Sequence, residues 1–588
     1  MKQLKETAYD SLSIAVILVV DLLFFFKAIL YGEIFFERDT SVFYYPIMST
    51  ISSSIQNWTL PLWTPNIFGG FPLFADGEAG LFYPPVAALV YFLPPEQAFI
   101  WVTISHFFMA GLFTFVFLRT LGLGRFGSLV GGISFMLGGF TIAQLHHVNL
   151  SNSAIWLPLI LCFVERSMQS RGARRHVYLL LAGGAFGLQC LAVHVNVPLM
   201  SLPVILGYIA LRVIFGPIGG GQGSGVRSRG TNIRPRSHVH RPPGPWTPTP
   251  GPRPSSPVPS PLTPVPHLEL ARWYDDLKPF GWRLLVAARV VLGRITLLGW
   301  ALAIVPLTGL AIAAVQILPL YELGAFSRRA GGLDPLVATS EAQTVYNMIT
   351  LIFPYFFRDA SNLNWGLWTQ WETRIYLGIL PLILGITAIV LVRSRVVVFF
   401  ALAGLLAIFI GLADSSPIKL YSLISTLPGY NLVRAPGRYA YIWTFSNAIL
   451  AAYAANWLSN PVFGRSHFRF LRARWKPRSL LWRLPALVFF VILAIAAMEL
   501  PIAVQQASSY VASHKPDILN LIQQNYLSLP RMLRSTEFAL TSSRVYDGLT
   551  YSLSFDNLAT RYGLVLVASS VAILLVGYAV SKAKWLWQ

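Results

Sequence analysis

Apolar stretches recur about a dozen times along this chain, and they decide what it can fold into. They fall at roughly 12–31, 97–118, 127–146, 153–165, 177–193, 196–214, 295–317, 376–392, 396–412, 439–457, 485–503 and 563–581. Most run to about 20 residues, enough to cross about 30 Å of hydrocarbon at about 1.5 Å of helical rise per residue. With 55% hydrophobic and only 12% charged residues among 588, the chain has more apolar surface than a soluble fold can hide. Lipid must be part of its solvent, and lipid offers the backbone no hydrogen bonds. The spans therefore have to be helices. The expectation is an all-α, polytopic membrane protein of about 12 transmembrane helices, with loop subdomains on the outer face. The first span follows a short charged start without a small-residue cleavage site and reads as a retained signal anchor. Phe82 to Pro95 (FYPPVAALVYFLPP) is too short and too bounded by proline for a full crossing, and reads as re-entrant or interfacial.

Orientation follows from charge. With the N-terminus inside, the inner loops hold Lys2 and Lys5, Arg119 and Arg125, Arg166 to Arg175, the run from Arg212 to Arg294, Arg393 and Arg395, Arg465 to Arg483, and Lys582 with Lys584. About two thirds of the 45 basic residues lie there, the asymmetry of a multi-pass membrane protein with both termini in the cytoplasm. The net charge of +21 is thus a property of loops facing anionic lipid. No folded basic module accompanies it, so no nucleic-acid partner is expected. Cys162 and Cys190 sit inside apolar stretches, which argues against a disulfide framework.

Three regions follow. Residues 1–215 form an N-terminal membrane region whose first outer loop, 32–96, carries the candidate site. Residues 216–270 are a Gly-, Arg- and Pro-rich cytoplasmic insertion with too little apolar content for a core, serving as a docking tract or tolerated as an insertion. Residues 271–588 form a C-terminal membrane region with outer loops 318–375, 413–438 and 504–562.

The outer loops hold the polar clusters. In FFERDTSVFYYP, Glu37 and Asp39 stand two residues apart just beyond the first span. Such a pair can bind a divalent cation such as Mg or Mn, let one carboxylate act as a base, or simply cap an external loop. The segment after it mixes Trp58, Trp63, Asn66, Asp76, Glu78, Phe82 and Tyr83 with turn residues, a composition suited to stacking on sugar rings and bonding their hydroxyls. His146, His147 and Asn149 close the third span, where they can bind a metal, move protons, contact a sugar or cap the interface. Glu372 lies among Trp365, Trp368 and Trp371, whose rings suit an aromatic belt. Arg434 and Arg438 in NLVRAPGRY match phosphate oxygens or snorkel to the interface, with Arg328, Arg329 and Arg374 as weaker candidates. Within the spans, Asp21 and His106 are expected to face the bundle interior and bond between helices.

The runs PLWTPNIFGGFPLFADGEAGLFYPP, FLRTLGLGRFGSLVGGISFMLGGFTIAQLHHVNLSNSAIWLPLILCFVER and LPGYNLVRAPGRY resemble the bacterial YfhO family, polytopic proteins related to the GT-C glycosyltransferases. The resemblance runs from about Leu12 to Trp457 and leaves out the insertion. It implies a GT-C-like membrane enzyme with a polyprenyl-phosphate sugar as donor, an outward active site, and a catalytic carboxylate in the first outer loop. Asp39 matches that carboxylate, with Glu37 completing a Glu-x-Asp pattern. The expected reaction moves the sugar to a cell-envelope polymer or glycolipid acceptor, with Arg434 and Arg438 on the donor phosphate and Asn66, Asp76, Glu78, Tyr83, His146, His147, Asn149 and Glu372 on substrate. A transporter or flippase of lipid-linked sugars would instead bind near the bilayer midplane, and a non-catalytic envelope-assembly scaffold would work through the insertion.

Overall fold

A computed structural model describes residues 2–33, 39–216, 267–357, 370–459, 504–528 and 545–550, apart from positions 146, 193, 328, 355 and 548. Glu37, His146, Arg328, Trp365, Trp368, most of the insertion and the last two expected spans lie outside them. Among the described residues the chain is helical throughout, and the one β-bridge pairs Thr64 with Phe71.

The first ten expected spans all fall on helices. Helix α1 (Lys2–Phe24) continues into α2 (Phe26–Tyr31), and α3 (Tyr45–Gln56) follows the wide turn Thr40–Tyr44. Paired prolines start α4 (Pro84–Phe92) and the long α5 (Pro95–Thr120), because the first helical turn has no use for the missing N–H. The bundle continues with α6 (Arg125–Met136), α7 (Gly139–Ala143), α8 (Val148–Ala154), α9 (Trp156–Gln169), α10 (Ala173–Leu191), α11 (Asn196–Phe215) and α12 (His267–Ala325). After the short α13 (Pro335–Ala338) and α14 (Gln370–Thr373) come α15 (Ile379–Leu391), α16 (Arg395–Gly411), α17 (Leu420–Ile424), α18 (Ala440–Ser459) and α19 (Lys515–Ser528). Residues 226–300 make a separate unit, of which the helix from His267 is described.

Among the described residues, five helical segments are long and apolar enough to cross a membrane: Pro95–Thr120, Arg125–Ala143, Val148–Gln169, Asn196–Phe215 and Ala288–Ala325. The protein is a membrane protein. Helix α18 is buried on nearly every side, as a helix without a polar face must be, and packs against α6, α15 and α16. Helix α5 joins α6, α9 and α1 around a cluster of Ile17, Phe25, Phe107 and Met136.

Three boundaries differ from expectation. The 127–146 span breaks at Gly138 into α6 and α7. The 153–165 span starts earlier, at Val148, because Asn149, Ser151, Asn152 and Ser153 are polar yet buried inside the bundle, which hides this turn from hydropathy. Helix α12 runs to Ala325, so the loop expected from 318 begins later. Phe82 to Pro95 holds the nine-residue α4, too short to cross. His106 faces inward and meets the Tyr83 hydroxyl at 2.8 Å. The carboxyl of Asp21 is buried, and neither oxygen has a hydrogen-bond partner among the described residues.

Candidate functional site

Segments from both membrane regions meet at one end of the bundle, and two glycines set how closely. Helix α7 lies against the chain before α15 so tightly that a Cβ on Gly139 would stand 1.7 Å from the Tyr376 carbonyl oxygen. That approach carries Gln144 to α14, where its Nε2 donates to the Trp371 carbonyl at 2.9 Å and lies 3.4 Å from Glu372 Oε2. Both neighbours accept, which fixes the amide's orientation and turns Oε1 toward His147 Nδ1 at 2.7 Å. Nδ1 therefore donates. The other ring nitrogen, Nε2, is 2.8 Å from Asp39 Oδ2. The ring thus lies between Asp39 and Glu372, whose Oε1 is 4.0 Å from Nδ1.

The second glycine lies in LVRAPGRY. Ala435 takes a left-handed turn (φ 62°), and Gly437 then passes so near Glu341 and Glu372 that a Cβ would be 2.5 Å from either carbonyl oxygen. The next side chain, Arg438, is thereby set on the Glu372 carboxylate, with Nε donating to Oε2 at 2.9 Å. Arg438 Nη1 donates to His194 Nε2 at 3.0 Å. Because a guanidinium only donates, Nε2 is the acceptor, and the His194 proton sits on Nδ1, which is buried with no partner among the described residues. Burial, then the Arg438 charge, push His194 well below the usual histidine range. Burial alone would raise Glu372, but the charge and hydrogen bonds of Arg438, with His147 and His194 beside it, outweigh burial and hold its carboxyl below the usual range.

A further layer surrounds this chain of bonds. The buried Tyr44 hydroxyl donates to Asn149 Oδ1 at 2.9 Å and is 3.5 Å from Glu78 Oε2. Asp76 is buried with Oδ2 unpartnered among the described residues, while Gln316 donates to its backbone carbonyl at 2.9 Å. Burial, then the nearby Glu78 charge, push the Asp76 carboxyl up to about 7. Arg329 and Arg434 are exposed, and among the described residues neither makes an ion pair. Their segments are laced together, Arg329 Nη1 donating to the Leu432 carbonyl at 3.1 Å and the Leu333 N–H to that of Asn431 at 3.0 Å. Asn196 holds the Arg434 carbonyl at 3.0 Å.

Of the residues singled out in the sequence, Asp39, Asp76, Glu78, His147, Asn149, Glu372, Arg434 and Arg438 gather here. Two do not. The Tyr83 hydroxyl is used up inside the bundle, taking a bond from Trp156 Nε1 at 2.9 Å besides its contact with His106, so it has no face for a substrate. Asn66 sits in an exposed loop and bonds only locally, its N–H to Thr64 Oγ1 at 3.4 Å. Arg438 is neither exposed nor snorkelling, since its charge is committed to Glu372. Glu37 and His146 lie outside the described residues. Sequence reasoning missed Tyr44, Gln144 and His194. One signal was present: His147-Val-Asn149 recurs as His194-Val-Asn196, each triplet at the start of a helix, α8 and α11. Among the described residues no group of three or more His, Cys, Asp or Glu is placed to hold a metal.

Residues 81–182 match the protein family described as bacterial membrane protein YfhO. The YfhO match covers α4 to the middle of α10 and so includes Gln144, His147 and Asn149, whereas Asp39, Glu372 and Arg438 lie beyond it. No curated protein and no solved structure matches the chain significantly.

Proposed function

We propose that the protein is a membrane glycosyltransferase that moves a sugar from a polyprenyl-phosphate donor to a cell-envelope acceptor on the outer face of the bacterial cytoplasmic membrane. The observation that carries this reading is the half-exposed Asp39 carboxylate bonded to His147, at the open edge of an otherwise buried ionic network. An acceptor hydroxyl needs a base, and Asp39 is the carboxylate that offers one oxygen to His147 while its side chain remains 51% exposed. His147 is a positioning residue: it orients Asp39. Gln144 and Glu372 hold the ring in turn.

In the proposed step, Asp39 takes the hydroxyl proton as the acceptor oxygen attacks the anomeric carbon. The bond from that carbon to the phosphate oxygen breaks, with inversion through an oxocarbenium-like transition state. The departing phosphate needs cationic help. In this reading exposed Arg434 supplies it, with Arg329 beside it as a second cation, whereas Arg438 is committed to Glu372.

The test compares cells expressing wild type and Asp39→Asn at equal membrane abundance, reading labelled sugar transferred into envelope polymers and glycolipids. Loss of a general base lowers the rate by about 10²–10⁴-fold. Undiminished transfer by Asp39→Asn would remove Asp39 from the chemistry. Transfer absent from wild type too, with lipid-linked sugar still crossing the bilayer, would favour a flippase.

A further inference from the structure

The stretch 57–75 of the loop between α3 and α4 is uncharged and apolar outward. No charged residue occurs between Asn57 and Ala75, yet Trp58, Leu60, Leu62, Trp63 and Phe68 are all exposed. Its shape is fixed. Thr64 and Phe71 exchange two backbone hydrogen bonds of 2.8 Å, and the Trp63 ring lies over Gly70, where a Cβ would stand 2.6 Å from it. Trp58 and Phe68 both have positive φ, 53° and 52°, a costly conformation for a bulky residue. They are also among the most exposed side chains, at 87% and 78%. Backbone strain that turns two aromatic rings out into water has no stabilising return; the same strain makes sense where the rings meet an apolar medium.

One root of the loop is fastened to the short α4, the other to the membrane-spanning part of α12. On one side Trp58 meets Tyr91 ring to ring at 6.3 Å, at the end of α4 and just before α5. On the other, Gln316 of α12 donates to the Asp76 carbonyl, and Leu320 of α12 packs where a Cβ on Gly77 would sit, 2.8 Å away. Gln316 and Leu320 belong to the apolar segment Ala288–Ala325, which also turns Leu318 and Tyr321 outward. The loop is thus tied to a helix whose exposed side chains, such as Leu318 and Tyr321, are apolar or aromatic.

We propose that residues 58–71 are a membrane-interface anchor that lies in the headgroup region of the bilayer, with Trp58, Leu60, Leu62, Trp63 and Phe68 as its lipid-facing side chains. Tryptophan and phenylalanine prefer this depth, and a segment without charge enters it at little cost. The anchor joins α3, which carries Tyr44 next to its start, to Asp76 and Glu78. It therefore holds the polar site at the level of lipid headgroups, whatever reaction that site performs.

The test uses the full chain with Cys162 and Cys190 replaced by alanine, single cysteines introduced as Leu60→Cys and as Phe68→Cys, an environment-sensitive thiol fluorophore, and nanodiscs of phosphatidylethanolamine and phosphatidylglycerol. The expected result at both positions is a blue-shifted emission, quenched several-fold more by lipids carrying a nitroxide near the top of the acyl chain than by aqueous iodide. Labels at both positions that iodide quenches freely and lipid nitroxides leave untouched overturn the proposal, and leave the exposed aromatics as a platform for a sugar or a protein partner. Because the readout is a quenching ratio within one labelled sample, it is independent of catalytic activity and of the Asp39 assignment.

Discussion

The two ends of the helical bundle both bury carboxylate–arginine pairs, but they use them differently. At the end rich in basic loops, Glu165 is almost wholly buried and receives Arg212 Nη2 at 2.6 Å, the Tyr208 hydroxyl at 2.8 Å and Gln169 Nε2 at 2.9 Å. Its carboxylate is saturated. Beside it Asp10 bridges Arg119 and Arg125 at 3.2 and 2.8 Å. Among the described residues Arg119 Nε and Arg212 Nε have no partner, but an arginine does not give up its proton, so neither is a reactive group. The other end holds a half-exposed Asp39 and an exposed Arg434, and among the described residues His194 Nδ1 and Asp76 Oδ2 have no partner. One end is built to hold; the other has groups left to bind or move a proton.

The sharpest way to break that contrast is to cut each buried pair. Arg438→Met and Arg212→Met each strand a buried carboxylate, and each is expected to lower stability by about 3–5 kcal/mol, read by unfolding in mixed micelles. Their effects on function should separate. Per folded molecule, Arg212→Met keeps its transfer activity, whereas Arg438→Met loses it, because Glu372, His147 and Asp39 fall out of register together. If Arg212→Met loses activity per folded molecule as well, the division between a holding end and a working end is wrong.

A second effect is set by pH. The Asp76 carboxyl is pushed up to about 7, while in the unfolded chain it titrates near 4 as an ordinary aspartate does. Between those values the folded state keeps a proton that the unfolded state has released, so Asp76's contribution to stability falls as pH rises from about 4 to about 7. The whole window spans at most about 4 kcal/mol, at about 1.4 kcal/mol per unit. Asp76→Asn should flatten melting temperature against pH over this range while sparing the slope from other groups. An unchanged slope would mean that Asp76 is solvated and belongs to the rim.

Where the sequence was legible, and where it was not, follows from what each signal measures. Hydropathy reports transfer to lipid, so it found the helices that face lipid and blurred α8, whose Asn149, Ser151, Asn152 and Ser153 are buried by neighbouring helices instead. Charge and spacing drew attention to Asp39, His147, Glu372 and Arg438, although residues 39 and 438 are nearly 400 positions apart. What neither signal carries is pairing. Arg438 looked like a free cation at an interface because nothing in NLVRAPGRY reveals that Gly437 presses it onto Glu372. Tyr83 looked like a sugar contact because its neighbours are aromatic and proline-rich, yet its hydroxyl points inward to His106 and Trp156. Gln144 has no chemistry of its own to flag it; its role comes from an amide whose two ends are fixed by Trp371 and His147.

The smallest expected effect is also the cleanest check on the comparison. Asp10 pairs with Arg119 and Arg125, but all three side chains keep a quarter to a third of their exposure, so water and salt already screen them. Asp10→Asn is therefore expected to cost only about 0.2–1 kcal/mol, and less at high salt. It also leaves the local positive charge higher, so a reporter fused at the N-terminus should keep its side of the membrane. A loss of several kcal/mol, or a reversed reporter, would show that Asp10 is as deeply committed as Glu165, and that this end of the bundle is held by one continuous ionic network.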